Sequence, residues 1–172
     1  APLRTPGETG EVLLSLAGLS LAPLGTFGTA LKDVAFDVRA GEILGIGGVA
    51  GNGQDELLAA LSGERQSASG SVVFCGDDIS RLGPSARRAR GLCTAPEERL
   101  GHAAAPEMSL TENTLVTGAE RENLVQRGMI QWGAAEAFAR RIITAFDVRT
   151  PGPDAPARAL SGGNLQKFVI GR

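Results

Sequence analysis

The stretch Gly48-Val49-Ala50-Gly51-Asn52-Gly53-Gln54-Asp55 constrains this chain more than any other. Its glycines follow G-x-x-x-x-G, the layout of a loop that wraps backbone N–H groups around phosphate. The flanks predict the setting that such a loop needs. Glu42-Ile43-Leu44-Gly45-Ile46 is short, apolar and glycine-bounded, and reads as a buried strand. Gln54 to Ser62 is rich in helix formers, with Leu57 and Leu61 on one face, Leu58 beside them and Gly63 as the stop. A strand, a glycine turn and a helix in that order predict an α/β fold.

The loop departs from the pattern in its two charged-ligand positions. Gln54 stands where lysine would reach the β- and γ-phosphates, and Asp55 stands where Ser or Thr would hold Mg²⁺. Gln54 can donate a hydrogen bond but carries no charge. Two unit charges about 4 Å apart interact by roughly 4 kcal/mol at an effective dielectric near 20, so a lost attraction plus Asp55's repulsion weakens nucleotide binding. Asp55 is also a candidate Mg²⁺ ligand. The competing reading is a tight strand-to-helix turn with no ligand.

Composition narrows the class. The chain has 172 residues, enough for a domain with a real core. The net charge of −2 shows no polyanion-binding balance, which argues against a nucleic-acid partner. No apolar run reaches the ~20 residues of a membrane span, and no signal peptide is evident. Cys75 and Cys93 lack metal spacing and read as free buried thiols. The only histidine, His102, reads as a solvated loop residue.

Residues 1–10 read as linker. Val12 to Leu21 and Leu31 to Val38 alternate as antiparallel strands, joined by a turn-rich Ala22 to Ala30. Pro84 to Arg90 is a short basic helix, read as a solvated face. Ser109 and Glu112 form a capping-box pattern, predicting a helix from there to about Gln126. A second helix carries Ala135, Phe138, Ile142 and Phe146 as a core stripe. Pro151, Pro153 and Pro156 then break the chain.

The run Leu160-Ser161-Gly162-Gly163-Asn164-Leu165-Gln166-Lys167 is a helix start in which Ser161 can cap and the glycines bare N–H groups for an anion. An ordinary helix cap is the alternative. The run resembles the signature motif of ATP-binding cassette (ABC) proteins, L-S-G-G-x-x-x-[KR]. Three further segments resemble that family in collinear order: a hairpin at Gly70 to Ile79, a P-E-D-R-like Ala95-Pro96-Glu97-Glu98-Arg99-Leu100-Gly101, and Met108-Ser109-Leu110-Thr111-Glu112-Asn113. The match covers about residues 11–172 and is most similar to the second, C-terminal cassette of tandem ATP-binding subunits of simple-sugar and nucleoside importers.

That resemblance implies a P-loop NTPase-like cassette, with an N-terminal antiparallel β-subdomain and a helical subdomain inserted at about 107–160. It implies a bacterial protein peripheral to the cytoplasmic face of the inner membrane. The implied ligands are ATP and Mg²⁺. The chain's own degenerate site would comprise Gly48, Ala50, Gly51, Asn52, Gly53, Gln54, Asp55, Glu56 and Glu97, the last in place of the Q-loop glutamine. Ser161, Gly162, Gly163, Asn164 and Gln166 would complete the ATP site of a partner cassette. Phe27 is the candidate adenine-stacking residue, with a loop-anchoring role as the equal alternative, and the residues around Met108 are candidates to receive a membrane-domain helix.

Implied partners are a second cassette, permease subunits and, indirectly, a substrate-binding protein. The Walker B strand, catalytic glutamate, D-loop and switch histidine would follow Arg172. The resemblance thus implies a C-terminally incomplete cassette, not expected to hydrolyse ATP alone although the full-length subunit would. The alternatives are a non-hydrolytic dimerisation cassette without nucleotide, a fully catalytic cassette in which Asp55 holds Mg²⁺, and a different P-loop enzyme such as a small kinase.

Overall fold

The computed structural model describes residues 9–23, 25–26 and 28–172. Most of the expected linker, and Phe27, lie outside these residues. The chain divides into two compact units, Ala1–Cys93 and Thr94–Arg172.

The first unit is built on an antiparallel sheet of order β2-β1-β3-β4, with β1 Val12–Leu21, β2 Leu31–Arg39, β3 Val72–Phe74 and β4 Asp77–Asp78. Strict alternation would put Leu16 and Leu19 on opposite faces, yet both are buried. The β1–β2 register shifts between them, at a bulge where Gly18 takes φ 65°. Helix α1, Gln54–Ser62, ends at Gly63 in the left-handed region. It packs Leu57 and Ala60 into a core with Leu16, Leu19, Leu31, Val72 and Ile79.

Helix α2, Pro84–Ala89, corrects one expectation. Arg87 is buried at 1% exposure, not part of a solvated face. Its guanidinium donates to Leu82 O, to Ala60 O and Leu61 O at the C-terminal end of α1, and to Ile79 O and Ser80 O. Burial lowers its pKa, while the surrounding carbonyl oxygens suit a cation. Cys75 and Cys93 are also corrected, because both are exposed.

The strand expected at 42–46 does not form. Residues 42–49 carry no regular structure, and no described strand pairs with them. A buried strand needs neighbours on its edges and faces, and this run has neither among the described residues. Ile43, Ile46 and Val49 are exposed instead, Ile43 at 85%.

The second unit holds α3 Leu110–Gly118, a hairpin of β5 Val125–Gln126 and β6 Met129–Ile130, α4 Trp132–Ala145, a 3₁₀ turn at Ala157–Ala159 and α5 Gly162–Gly171. Its core joins Leu110, Leu124, Phe138, Ile142, Leu160, Leu165 and Phe168. The Ser109–Glu112 capping box is present, but α3 stops at Gly118, well before Gln126. The remainder is the hairpin, whose two-residue turn Arg127-Gly128 has positive φ at both positions. Phe146, expected in the core stripe, is 40% exposed because the helix ends just before it.

Two pairings lead the chain toward the signature. Leu110 N–H donates to Ala155 O, Thr111 N–H to Pro153 O, Ala157 N–H to Met108 O and Arg158 N–H to Pro106 O. The fully buried Asn113 then ties residues 105–109 to α3. Its amide donates to Ala105 O, Met108 O and Ser109 O and accepts from Ala105 N–H.

Candidate functional sites: a glycine loop and a signature helix

Each unit contains a glycine-rich helix start. In the first, Gly51 and Gly53 take φ of 86° and 100°, a conformation that glycine adopts without steric cost. Gly53 is the N-cap of α1, and no side chain caps the helix. The loop is tied down by Thr29, a residue outside every sequence motif. Its hydroxyl donates to Gly51 O at 2.7 Å, and its N–H donates to Glu56 Oε1 at 3.0 Å. The Thr29 N–H and then the residue's own N–H hold the Glu56 carboxyl below the usual carboxylate range. Glu56 thus serves the loop's anchorage. Thr29 carried no sequence signal beyond lying in the turn-rich stretch before β2.

Gln54 turns into the loop. Its Nε2 donates to Val49 O at 3.1 Å, and its Oε1 accepts from Asn52 N–H at 3.1 Å. Gly48 is where this folding back requires glycine, because a Cβ there would meet Gln54 Nε2 at 2.5 Å. Ala50 and Asp55 are exposed. Among the described residues no three His, Cys, Asp or Glu side chains gather to hold a metal. Asp55 fits Mg²⁺ only as a single carboxylate supplemented by phosphate oxygens and water, a pattern Mg²⁺ commonly adopts.

The second start is arranged differently. Ser161 occupies the N-cap position of α5 in extended conformation, but its side chain caps no backbone N–H, contrary to expectation. Its Oγ accepts from Asn164 Nδ2 at 3.0 Å instead. Asn164 Oδ1 in turn accepts from Arg149 N–H at 3.0 Å. Ser161, Gly162, Gly163 and Gln166 are exposed, whereas Leu165 and Phe168 anchor the helix in the core. Lys167 is directed away, donating to Asp147 O at 2.8 Å.

Arg99, from the P-E-E-R segment, lies against Gly162, where any Cβ would collide with its guanidinium Nη1. Within its motif, Arg99 carries no sequence signal for a site. Glu97 is exposed in an irregular stretch and, among the described residues, makes no side-chain hydrogen bond. His102 is exposed, in a turn.

Residues 31–172 match the family model described as ABC transporter. The guanosine import ATP-binding protein NupO of Bacillus subtilis is 36% identical over 96% of this chain. The ribose import ATP-binding protein RbsA 1 of Rubrobacter xylanophilus is 40% identical over 96% of it. In both cases the chain spans about a third of the relative, 32% of its length. Among solved structures, the cassette MJ1267 of an ABC transporter superposes with TM-score 0.67 at 22% identity, covering 94% of this chain and 64% of that one. The cassette MJ0796, in a dimeric structure bound to ADP and Pi, superposes with TM-score 0.68 at 17% identity, covering 92% and 68%. These two share the fold of the present chain. With its family match and its fold in agreement, the chain belongs to the ABC transporter family as an ATP-binding cassette.

Proposed function

We propose that this chain is the second cassette of a tandem ATP-binding subunit of an importer for simple sugars or nucleosides, in which its own loop holds nucleotide weakly and its signature completes the partner cassette's ATP site. The named roles of the relatives, ribose and guanosine import, support the cargo class. The observation that carries the division of labour is the contrast between the two helix starts. One has its side-chain amide folded into the loop, whereas the other leaves the N–H groups of Gly162 and Gly163 without a side-chain cap.

At the partner's site Ser161 Oγ–H and the N-terminal N–H groups of α5 would donate to γ-phosphate oxygens as charge builds there. Electrostatic stabilisation of this kind dominates phosphoryl transfer. Arg99 adds a cation to an end of the helix that is already partially positive, an arrangement an anion relieves. Mg²⁺, when bound, neutralises charge between the β- and γ-phosphates. At this chain's own loop Asp55 is the carboxylate placed to help hold it, and Glu97 takes the Q-loop position. Residues 107–160 serve as the helical subdomain, with the Met108 region receiving a permease helix. Permease subunits and a substrate-binding protein complete the importer at the cytoplasmic face of the bacterial inner membrane. Among the described residues no helix is long and apolar enough to cross a membrane.

The test replaces Ser161→Arg and, separately, Gln54→Ala in the full-length subunit. The first abolishes ATPase and transport, and the second loses far less. Equal losses overturn the assignment. A second reading, a dimerisation cassette without nucleotide, draws on Asn52 N–H being already taken. Lack of ATP at this loop even with the partner cassette bound would favour it.

A further inference from the structure

We propose that the Gln54 side chain is an intramolecular occupant of the phosphate loop, competing with a nucleotide's phosphate for the Asn52 N–H. The inference rests on reading the loop as a weak nucleotide site and adds the physical cause of the weakness.

The two hydrogen bonds of Gln54 span the loop in opposite senses. Nε2 donates to Val49 O, and Oε1 accepts from Asn52 N–H, each at 3.1 Å. A primary amide is the side-chain group that supplies a donor and an acceptor side by side. Lysine in this position could make only the first bond, and glutamate only the second. The amide therefore satisfies, within the chain, a backbone donor that a glycine loop of this kind offers to an anion. Gly48 leaves the room for it, since a Cβ there would stand 2.5 Å from Nε2.

Thr29 fixes the opposite side by donating to Gly51 O, so the loop keeps its curvature while the amide sits inside it. Substrate phosphate must displace a bonded group instead of meeting a free N–H. Loss of lysine then accounts for only part of the weakness, and the rest is self-occupancy.

The experiment is hydrogen–deuterium exchange of the peptide spanning Gly48 to Glu56 in the full-length subunit, titrated with ADP. Variants are Gln54→Ala and Gln54→Met, the latter keeping bulk without hydrogen bonds. Exchange across β1 and β2 reports whether each variant is folded. In both variants Asn52 exchanges faster without ADP, and half-protection comes at a roughly twofold to tenfold lower ADP concentration, the worth of one intramolecular hydrogen bond. Half-protection at an equal or higher concentration overturns the proposal, because the amide would then be a ligand or a bystander. If Asn52 is deprotected but ADP protects the loop in neither wild type nor variants, the nucleotide reading itself has failed, and competition with it.

Discussion

The glycine loop before α1 and the glycine pair at the start of α5 are the same device in two states of readiness. Each places glycine at a helix N-terminus, and neither helix receives a side-chain cap. In the loop, the side chain just past the last glycine folds back and takes a backbone donor. At the signature, no side chain caps the N–H groups at the start of the helix, and the nearby polar side chains bond elsewhere. Asn164 bridges Ser161 Oγ and Arg149 N–H, and Lys167 reaches Asp147. A helix N-terminus is thus a site only in so far as its neighbours leave it open, and glycine spacing says nothing about that.

The supports differ as well. The loop's helix is held at its far end by a single buried guanidinium, whereas the signature's approach is held by paired backbone. Apart from the exchange test above, the sharpest break of the comparison is Ser161→Arg, which eliminates turnover if the open start is the catalytic one. Next comes Arg87→Ala. It removes the guanidinium donor from Leu82 O, Ala60 O and Leu61 O, whereas Ile79 O and Ser80 O keep the N–H groups of Leu82 and Ser67, and buried groups left unsatisfied cost about 1–3 kcal/mol each before relaxation. A net loss of about 3 kcal/mol is expected, read as faster amide exchange throughout α1, with α5 unaffected.

Arg99→Ala is expected to weaken ATP-dependent dimerisation roughly tenfold, the value of one charge-assisted contact near 1.5 kcal/mol. A variant equal to wild type in sedimentation would remove Arg99 from the site. Asn164→Ala frees Ser161 Oγ and Arg149 N–H, and lowers ATPase by only a fewfold, through looser positioning of the serine.

The smallest effect is pH-dependent. Ser109's N–H and then its hydroxyl hold the Glu112 carboxyl below its ordinary range. The capping box therefore contributes fully above the unfolded value near 4.3 and is lost as pH falls through the lower folded value. Ser109→Ala costs about 1 kcal/mol at neutral pH. Denaturation midpoints should show that penalty shrinking below about pH 4.

Much of this was legible in the chain. The extents of strands β1 and β2, helix α1 with its Gly63 stop, and the Ser109–Glu112 box rest on local periodicity or short-range chemistry, and all are present, although a bulge at Gly18 breaks the alternation within β1. The readings that failed depended on partners far along the sequence. Whether Ile43 to Ile46 forms a strand depends on strands to pair with, and its composition cannot report whether they are there. A short basic helix predicts a solvated Arg87, yet its acceptors at Ala60 and Leu61 lie more than twenty positions upstream. The hairpin after α3 was hidden because Arg127-Gly128 is a weaker turn signal than Asn-Gly. At the candidate sites, residue identities were readable but orientations were not. Nothing in the sequence shows that Gln54 bends inward or that Arg99 rests on Gly162.

The cross-ties between 106–111 and 153–158 have a mechanical consequence. They fasten the chain shortly before Ser161 to the lip of α3, as two rails share sleepers. Met108 O is bonded to Ala157 N–H, and from there the 3₁₀ turn has only Leu160 between it and the serine. The serine's position is therefore coupled to that of the neighbouring segment, and a shift of one carries the other.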